Sequence, residues 1–273
     1  MSLAPAAEAA PVHDGLPSGP RGQAMLVIIL GLTLSVLDST LVNLALPAMA
    51  RELQASSAHT LWVVNSYQLA SLVLLLPLAA LGERLGYRRV YLVGMLVFSV
   101  ASLAAMLATS LPTLVAARAL QGLGAAGVMS VNAALVRLIY PRALLGRGMA
   151  VNSLVVATAS MAGPSVAAAI LSVASWPWLF AANLPLGLFT LWLGRRALPA
   201  NAVAGHAGAR LSPLDVLLNI LMFSLIFLGG EQLGVRAGGA DSSLPSGWWL
   251  LGAGLLVGLW YVRRQWRLPA PLL

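Results

Sequence analysis

Eight apolar windows, each about the length a helix needs to cross a hydrocarbon core of roughly 30 Å, recur along this chain of 273 residues. They lie at roughly 25–47, 61–82, 89–109, 113–136, 147–171, 178–194, 213–230 and 247–262. A soluble core has no use for so many. Only 9% of the residues are charged, against about 25% in ordinary soluble domains. In lipid every backbone polar group must find its partner within the protein, and a helix supplies those partners internally. The expectation is an all-α integral membrane protein with eight spans.

The first 23 residues are rich in Ala, Pro and Gly and show no small-residue cleavage site behind a short apolar core, so they do not match a signal peptide. They are expected as a disordered cytoplasmic tail. There is no cysteine, and His13, His59 and His206 fall outside the windows and far apart, so no metal centre is expected. All sixteen basic residues are arginine. A phosphate-cradling P-loop needs a lysine and a Schiff-base cofactor needs a lysine amine, which excludes ATP-driven pumping and retinal-type photochemistry by this chain. No cofactor is expected.

A formal charge of +8 would suggest nucleic acid in a soluble protein, but these arginines flank the windows. With the N-terminus in the cytoplasm, thirteen arginines fall on inside segments, Arg51 and Arg236 fall outside, and Arg118 lies within a window. Cytoplasmic retention of positive charge accounts for that bias. It predicts a multi-pass protein of the cytoplasmic (inner) membrane with both termini inside, partnered by the lipid bilayer and not by nucleic acid.

Short loops join the first six windows into a unit over 24–197. A polar break over 198–212 is expected as a cytoplasmic linker, followed by two further spans over 213–262 and a cytoplasmic end over 263–273. Ser212, Pro213 and Asp215 match an N-cap, a first-turn proline and a first-turn acid, so Asp215 is assigned to a helix start. Gly254 and Gly258 have the spacing that permits close helix contact.

Two charges stand inside the windows. Asp38 precedes the outer end of the first by about nine residues, and Arg118 follows the outer end of the fourth by about five, which at 1.5 Å per residue puts both roughly 8–13 Å deep. They are expected to pair if their helices are neighbours. Each costs about 2.5–3.5 kcal/mol at mid-span, and such groups normally face a bundle interior or a water-filled path. Asp38 shares a helix face with Gly31, Ser35, Val42 and Ala45, small or polar groups that suit a cavity. Gln121 follows Arg118 by one turn, and Asn65 and Gln68 stand three apart on the second span; these are expected to line one pocket, with packing by interhelical hydrogen bonds as the alternative for Asn65 and Gln68. The chemistry open to such a site is proton exchange, with Asp38 as the switchable member because arginine stays charged.

These residues lie in motifs that resemble the fourteen-helix drug:proton antiporter branch of the major facilitator superfamily. "LDSTLVNLALP" (Leu37 to Pro47) matches the branch signature L-D-x-T-x-V-N-x-A-L-P. "GERLGYRR" is similar to its loop motif between spans two and three, keeping Arg84, Gly86, Arg88 and Arg89, with Glu83 in place of an aspartate, Ala79 for a glycine and Tyr87 for an arginine. "ARALQGLGAAG" resembles the span-four motif that carries the buried arginine. "AGPSVAAAI", around Gly163 and Pro164, resembles the span-five motif with alanines for several glycines, and "SWPWLFAANLPLG" resembles that of span six with Pro177 for an arginine.

The resemblance implies a six-helix N-terminal bundle plus two additional transmembrane helices, with the second bundle of the family missing from this chain. It implies a proton-coupled exporter of lipophilic, cationic compounds, not an enzyme: Asp38 and Arg118 couple protons, Asn43, Asn65, Gln68 and Gln121 line the substrate cavity, Glu83, Arg84, Gly86, Arg88 and Arg89 gate, and Gly163 and Pro164 form a hinge. The partners implied are protons, small lipophilic substrates, and a C-terminal half or second copy. Two other classes remain open: a transport-incompetent fragment or scaffold, and an intramembrane hydrolase suggested by the G-x-S at 163–165, which lacks a histidine base within any span.

Overall fold

The structure is a computed structural model that describes residues 14–200, 212–237 and 247–267. Its longest helix, α1 (Ser18–Glu52), spans about 52 Å at 1.5 Å per residue. It begins inside the stretch expected as a tail. Pro17 precedes it, Arg21 donates back to the Leu16 carbonyl, and the Leu16 amide bonds the Ile139 carbonyl, so the approach is pinned to the bundle. The part of the tail at 1–13, with His13, lies outside the described residues.

After a single turn, α2 (Ser57–Thr60), capped by Ser56, the chain runs back as α3 (Trp62–Leu85). Gly86, at φ +99°, turns it into α4 (Tyr87–Met106); only glycine adopts that angle without strain. Next comes α5 (Leu111–Ile139), begun by a capping box between Ser110 and Thr113 with Pro112 in its first turn. α6 (Leu145–Leu171) follows a short 3-10 turn, Arg142–Leu144, whose first amide is held by the Asp14 carboxylate. α7 (Pro177–Ala181) and α8 (Asn183–Ala197) complete the first unit, and Trp176, just before α7, holds the C-terminal end of α1 by donating to Glu52 at 2.7 Å.

Two further helices, α9 (Pro213–Ala237) and α10 (Gly247–Gln265), pack along each other, and α9 also touches α3. Most of the expected linker, 201–211, with His206, lies outside the described residues. The glycine spacing expected to permit close contact does so: a Cβ on Gly254 would meet Ile226 at 2.8 Å, and one on Gly258 would meet Met222 at 3.0 Å.

Among the described residues seven helical segments are long and apolar enough to cross a membrane. The eighth expected span is a helix too, α10, but its glycines, tryptophans and terminal arginines hold its hydropathy below that of the others. It also runs three residues past the expected end at 262. Large apolar side chains point outward along these helices, Val93 and Leu103 on α4 and Leu188 and Trp192 on α8 among them. No soluble protein tolerates so much exposed apolar surface, and lipid is the medium that suits it.

Inside the first unit the apolar core has two large clusters, beside a small third one of Leu32, Val36 and Ala159. One gathers Val27, Ile28, Tyr91, Phe98, Val128 and Leu135; the other gathers Val42, Met49, Val63, Leu114, Trp176 and Phe180. Between them lies a layer of buried polar side chains.

Candidate functional site

That polar layer is built from five helices. α1 brings Asp38, α5 brings Arg118 and Gln121 one turn apart, α4 brings Ser102, α8 opens with Asn183, and α3 contributes the Val63 carbonyl and the Tyr67 ring. Small residues let the helices approach. A Cβ on Gly122 would fall 2.4 Å from the Tyr67 carbonyl oxygen, and one on Gly124 would fall 2.4 Å from the Phe98 amide nitrogen.

Asp38 and Arg118 form an ion pair between Oδ2 and Nη1, as their matched depths predicted. The other carboxylate oxygen, Oδ1, accepts from Gln121 Nε2 at 2.8 Å and from Asn183 Nδ2 at 2.7 Å. Arg118 also donates from Nη1 to Gln121 Oε1 at 2.6 Å and from Nε to the Val63 carbonyl at 3.0 Å. Gln121 Nε2 reaches Ser102 Oγ at 2.9 Å, which in turn donates to the Phe98 carbonyl. The guanidinium lies 4.3 Å above the Tyr67 ring centroid, a cation–π contact that gains strength where water is excluded. One guanidinium nitrogen, Nη2, has no partner.

Water is excluded: Asp38 is 1% exposed and Arg118 and Gln121 are 0% exposed. The expectation that Asp38 faces a cavity therefore needs correcting. Its face, with Gly31, Ser35, Val42 and Ala45, is buried against neighbouring helices. Small and polar residues mark close helix contact as readily as they mark a water path, and here they serve contact. Buried groups of this kind are tolerated only when nearly every lone pair and proton is matched.

The residues expected to share one pocket divide. Gln121 is in the layer and Asn65 is buried on α3, whereas Asn43 and Gln68 are exposed and outside it. Asn183 and Tyr67 were not singled out as site residues. Asn183 had a signal, since it is the asparagine of the span-six motif; Ser102 had none, being one serine in an apolar helix.

At the opposite end of the helices, Arg88 donates to the Arg195 carbonyl and so holds the last turn of α8. Glu83 and Arg89 are exposed and Arg84 is half-buried; among the described residues no ion pair joins them to other groups. Gly163 is a packing position, since a Cβ there would strike Thr40 Oγ1 on α1 at 2.0 Å, and α6 is an unbroken helix through Pro164. Asp215, assigned to a helix start, sits in the first turn of α9 and does more. It pairs with Arg264 of α10 at 2.6 Å and is itself buried, so it fastens the two extra helices together.

The sequence profile of the Major Facilitator Superfamily matches residues 28–268. The chain is 45% identical over 260 residues to the uncharacterized transporter YebQ of Escherichia coli (strain K12), covering 95% of this chain and 56% of that protein. It is 36% identical over 180 residues to the tetracenomycin C resistance and export protein of Streptomyces glaucescens, covering 65% of this chain and 34% of that one. The chain thus spans about half, or less, of the length of these relatives. Among solved structures, that of the proton:xylose symporter XylE bound to 6-bromo-6-deoxy-D-glucose overlays with a TM-score of 0.59 at 14% identity, covering 81% of this chain and 56% of that one. The profile match begins in α1 and runs beyond α10, the helices overlay a solved member of the same fold, and nearly the whole chain aligns with one transporter: this chain belongs to the Major Facilitator Superfamily.

Proposed function

We propose that this chain is the N-terminal half of a proton-coupled exporter of lipophilic, cationic compounds in the cytoplasmic membrane. The observation that carries this reading is the dry Asp38–Arg118 pair with Gln121 and Asn183 on the same carboxylate. A proton arriving on Asp38 removes its charge and leaves a guanidinium that cannot lose its own. The layer then holds an uncompensated buried cation, a costly state, which favours a movement of α1 against α5. Proton occupancy is in this way converted into a choice between packings.

Alternating access by rocking needs a second repeat. The faces that α6 leaves open, with Met161 81% exposed and Leu154 63% exposed, suit such a partner, whether a C-terminal half or a second copy. The same faces favour the other reading, a chain that does not transport by itself. Proteoliposomes with an imposed proton gradient separate the two. Ethidium efflux is expected from the chain joined to a second bundle, at least tenfold slower with Asp38→Asn, and not from the 273-residue chain alone. Unchanged coupling in the Asp38→Asn form would remove Asp38 from the mechanism.

Orientation is testable because the chain has no cysteine. Single cysteines at Ser57, the first residue of α2, and at Arg142, in the turn before α6, lie at opposite ends of the helices. In intact cells a membrane-impermeant maleimide is expected to label Ser57→Cys, and Arg142→Cys only after lysis. The reverse pattern would invert the proposed topology.

A further inference from the structure

α3 and α4 both pack along α5 and touch each other far less, which leaves a slot between them. Leu78, Leu81 and Leu85 of α3 line one side and Val90, Val93 and Val97 of α4 the other, each set at helical spacing. The floor is α5, at Leu123 and Gly127. A Cβ on Gly94 would lie 2.9 Å from Gly127 Cα, and one on Gly127 would lie 2.9 Å from Gly94 Cα, so α4 and α5 meet there backbone to backbone and no side chain fills the slot.

The shape restricts the occupant. The groove holds about 120 Å³, well under the roughly 300–1,000 Å³ of a drug-sized site. From Arg89 to Val97 it runs about 12 Å along α4 at 1.5 Å per residue. An apolar slot so long and narrow takes a linear hydrocarbon chain rather than a ring system. Val93 and Leu85, 59% and 48% exposed, put its open side on the lipid-facing surface.

One end is charged. Arg89 lines the groove beside Gly86, where α3 gives way to α4. Its stem extends the apolar wall while its head can stay at the polar boundary. Arg88, in the same turn, is taken up by the Arg195 carbonyl. Arg89, expected among the gating residues, has no ion pair or hydrogen bond among the described residues. It also stands in the first turn of α4, the positive end of the helix dipole, where a cation is disfavoured and an anion would relieve it.

We propose that the groove seats one acyl chain of an anionic phospholipid, with the lipid phosphate on the Arg89 guanidinium. Arginine meets a phosphate with two parallel N–H donors. The cytoplasmic leaflet, where the proposed orientation places Arg89, carries the negative surface potential. Only the choice of leaflet rests on that orientation; the binding itself depends neither on Asp38 nor on transport.

The test is native mass spectrometry of the full chain in detergent, titrated with phosphatidylglycerol or with phosphatidylcholine of the same acyl chains, whose choline offsets the phosphate. Phosphatidylglycerol is expected to bind about fivefold more tightly, and Arg89→Gln to remove that preference. Val97→Trp, which fills the far end with the arginine intact, is expected to weaken both lipids. Arg196→Gln removes a cation stacked on Trp192 in the last turn of α8 and is expected to change neither.

Equal binding of the two lipids by the parent would overturn the proposal, as would phosphatidylglycerol binding by Arg89→Gln or Val97→Trp equal to that of the parent. Equal losses in Arg89→Gln and Arg196→Gln would reduce the effect to net charge and overturn it. Displacement of the lipid by an equal concentration of glycerol phosphate, a headgroup without a chain, would assign the arginine to a free anion and overturn it as well.

Discussion

Arg118→Leu is expected to destabilise the helical bundle by about 3–5 kcal/mol, the cost of leaving one member of a buried ion pair without its partner. Asp38 would keep the amides of Gln121 and Asn183, both neutral donors, and lose the cation it pairs with. The Val63 carbonyl and Gln121 Oε1 would each lose a donor in the same step. Replacing both members is a different matter, because apolar substitutes for a whole buried pair are often neutral or better. The double variant Asp38→Leu with Arg118→Leu is therefore expected to recover much of the loss. Unfolding titrations in SDS, followed by tryptophan fluorescence, measure both. Equal losses in single and double variants would show that the two charges do not act as a unit. The same arithmetic underlies the proposed coupling: a proton on Asp38 imposes transiently what the Arg118 deletion imposes permanently, with the opposite member left bare.

Much of this layer was legible because a charge inside an apolar window has few tolerable positions. Asp38 and Arg118 had matching depths on helices of known direction, and pairing followed once α1 and α5 proved to be neighbours. What the pattern did not carry was the medium facing them. A helix that is apolar all round has no polar stripe to say which side meets lipid, another helix or water, so the face with Gly31, Ser35 and Ala45 suited a cavity and a dry contact equally. Asn43 and Gln68 show the converse, polar residues that the fold leaves outside the layer. Partners supplied from far along the chain were also out of reach: Asn183 lies 145 positions from Asp38, and Arg264 lies 49 from Asp215. The start of α1 was missed for a related reason. The Pro and Gly just before it carry no helical period, and Leu16 and Asp14 are held by Ile139 and Arg142, far along the chain.

Gly124→Leu is expected to have the largest effect of any single change at a helix contact. A Cβ there would lie 2.4 Å from the Phe98 amide nitrogen and 2.7 Å from the Gly94 carbonyl oxygen. Both are backbone atoms, which cannot rotate aside as a side chain does, so α4 and α5 must separate. Overpacking typically costs about 1–3 kcal/mol and at times more; here the separation also stretches the 2.9 Å bond between Gln121 and Ser102, and the loss passes into the polar layer. A drop of more than about 3 kcal/mol is expected, seen as failure to elute as a single species from detergent. Gly252→Ala is the comparison. Its Cβ would meet nothing within 4 Å, and removing a glycine from a helix interior is expected to gain up to about 1 kcal/mol. If Gly124→Leu purified and unfolded like the parent, α4 and α5 would not be in the backbone contact that holds Ser102 against Gln121, and the coupling proposed for Asp38 would lose its fixed frame.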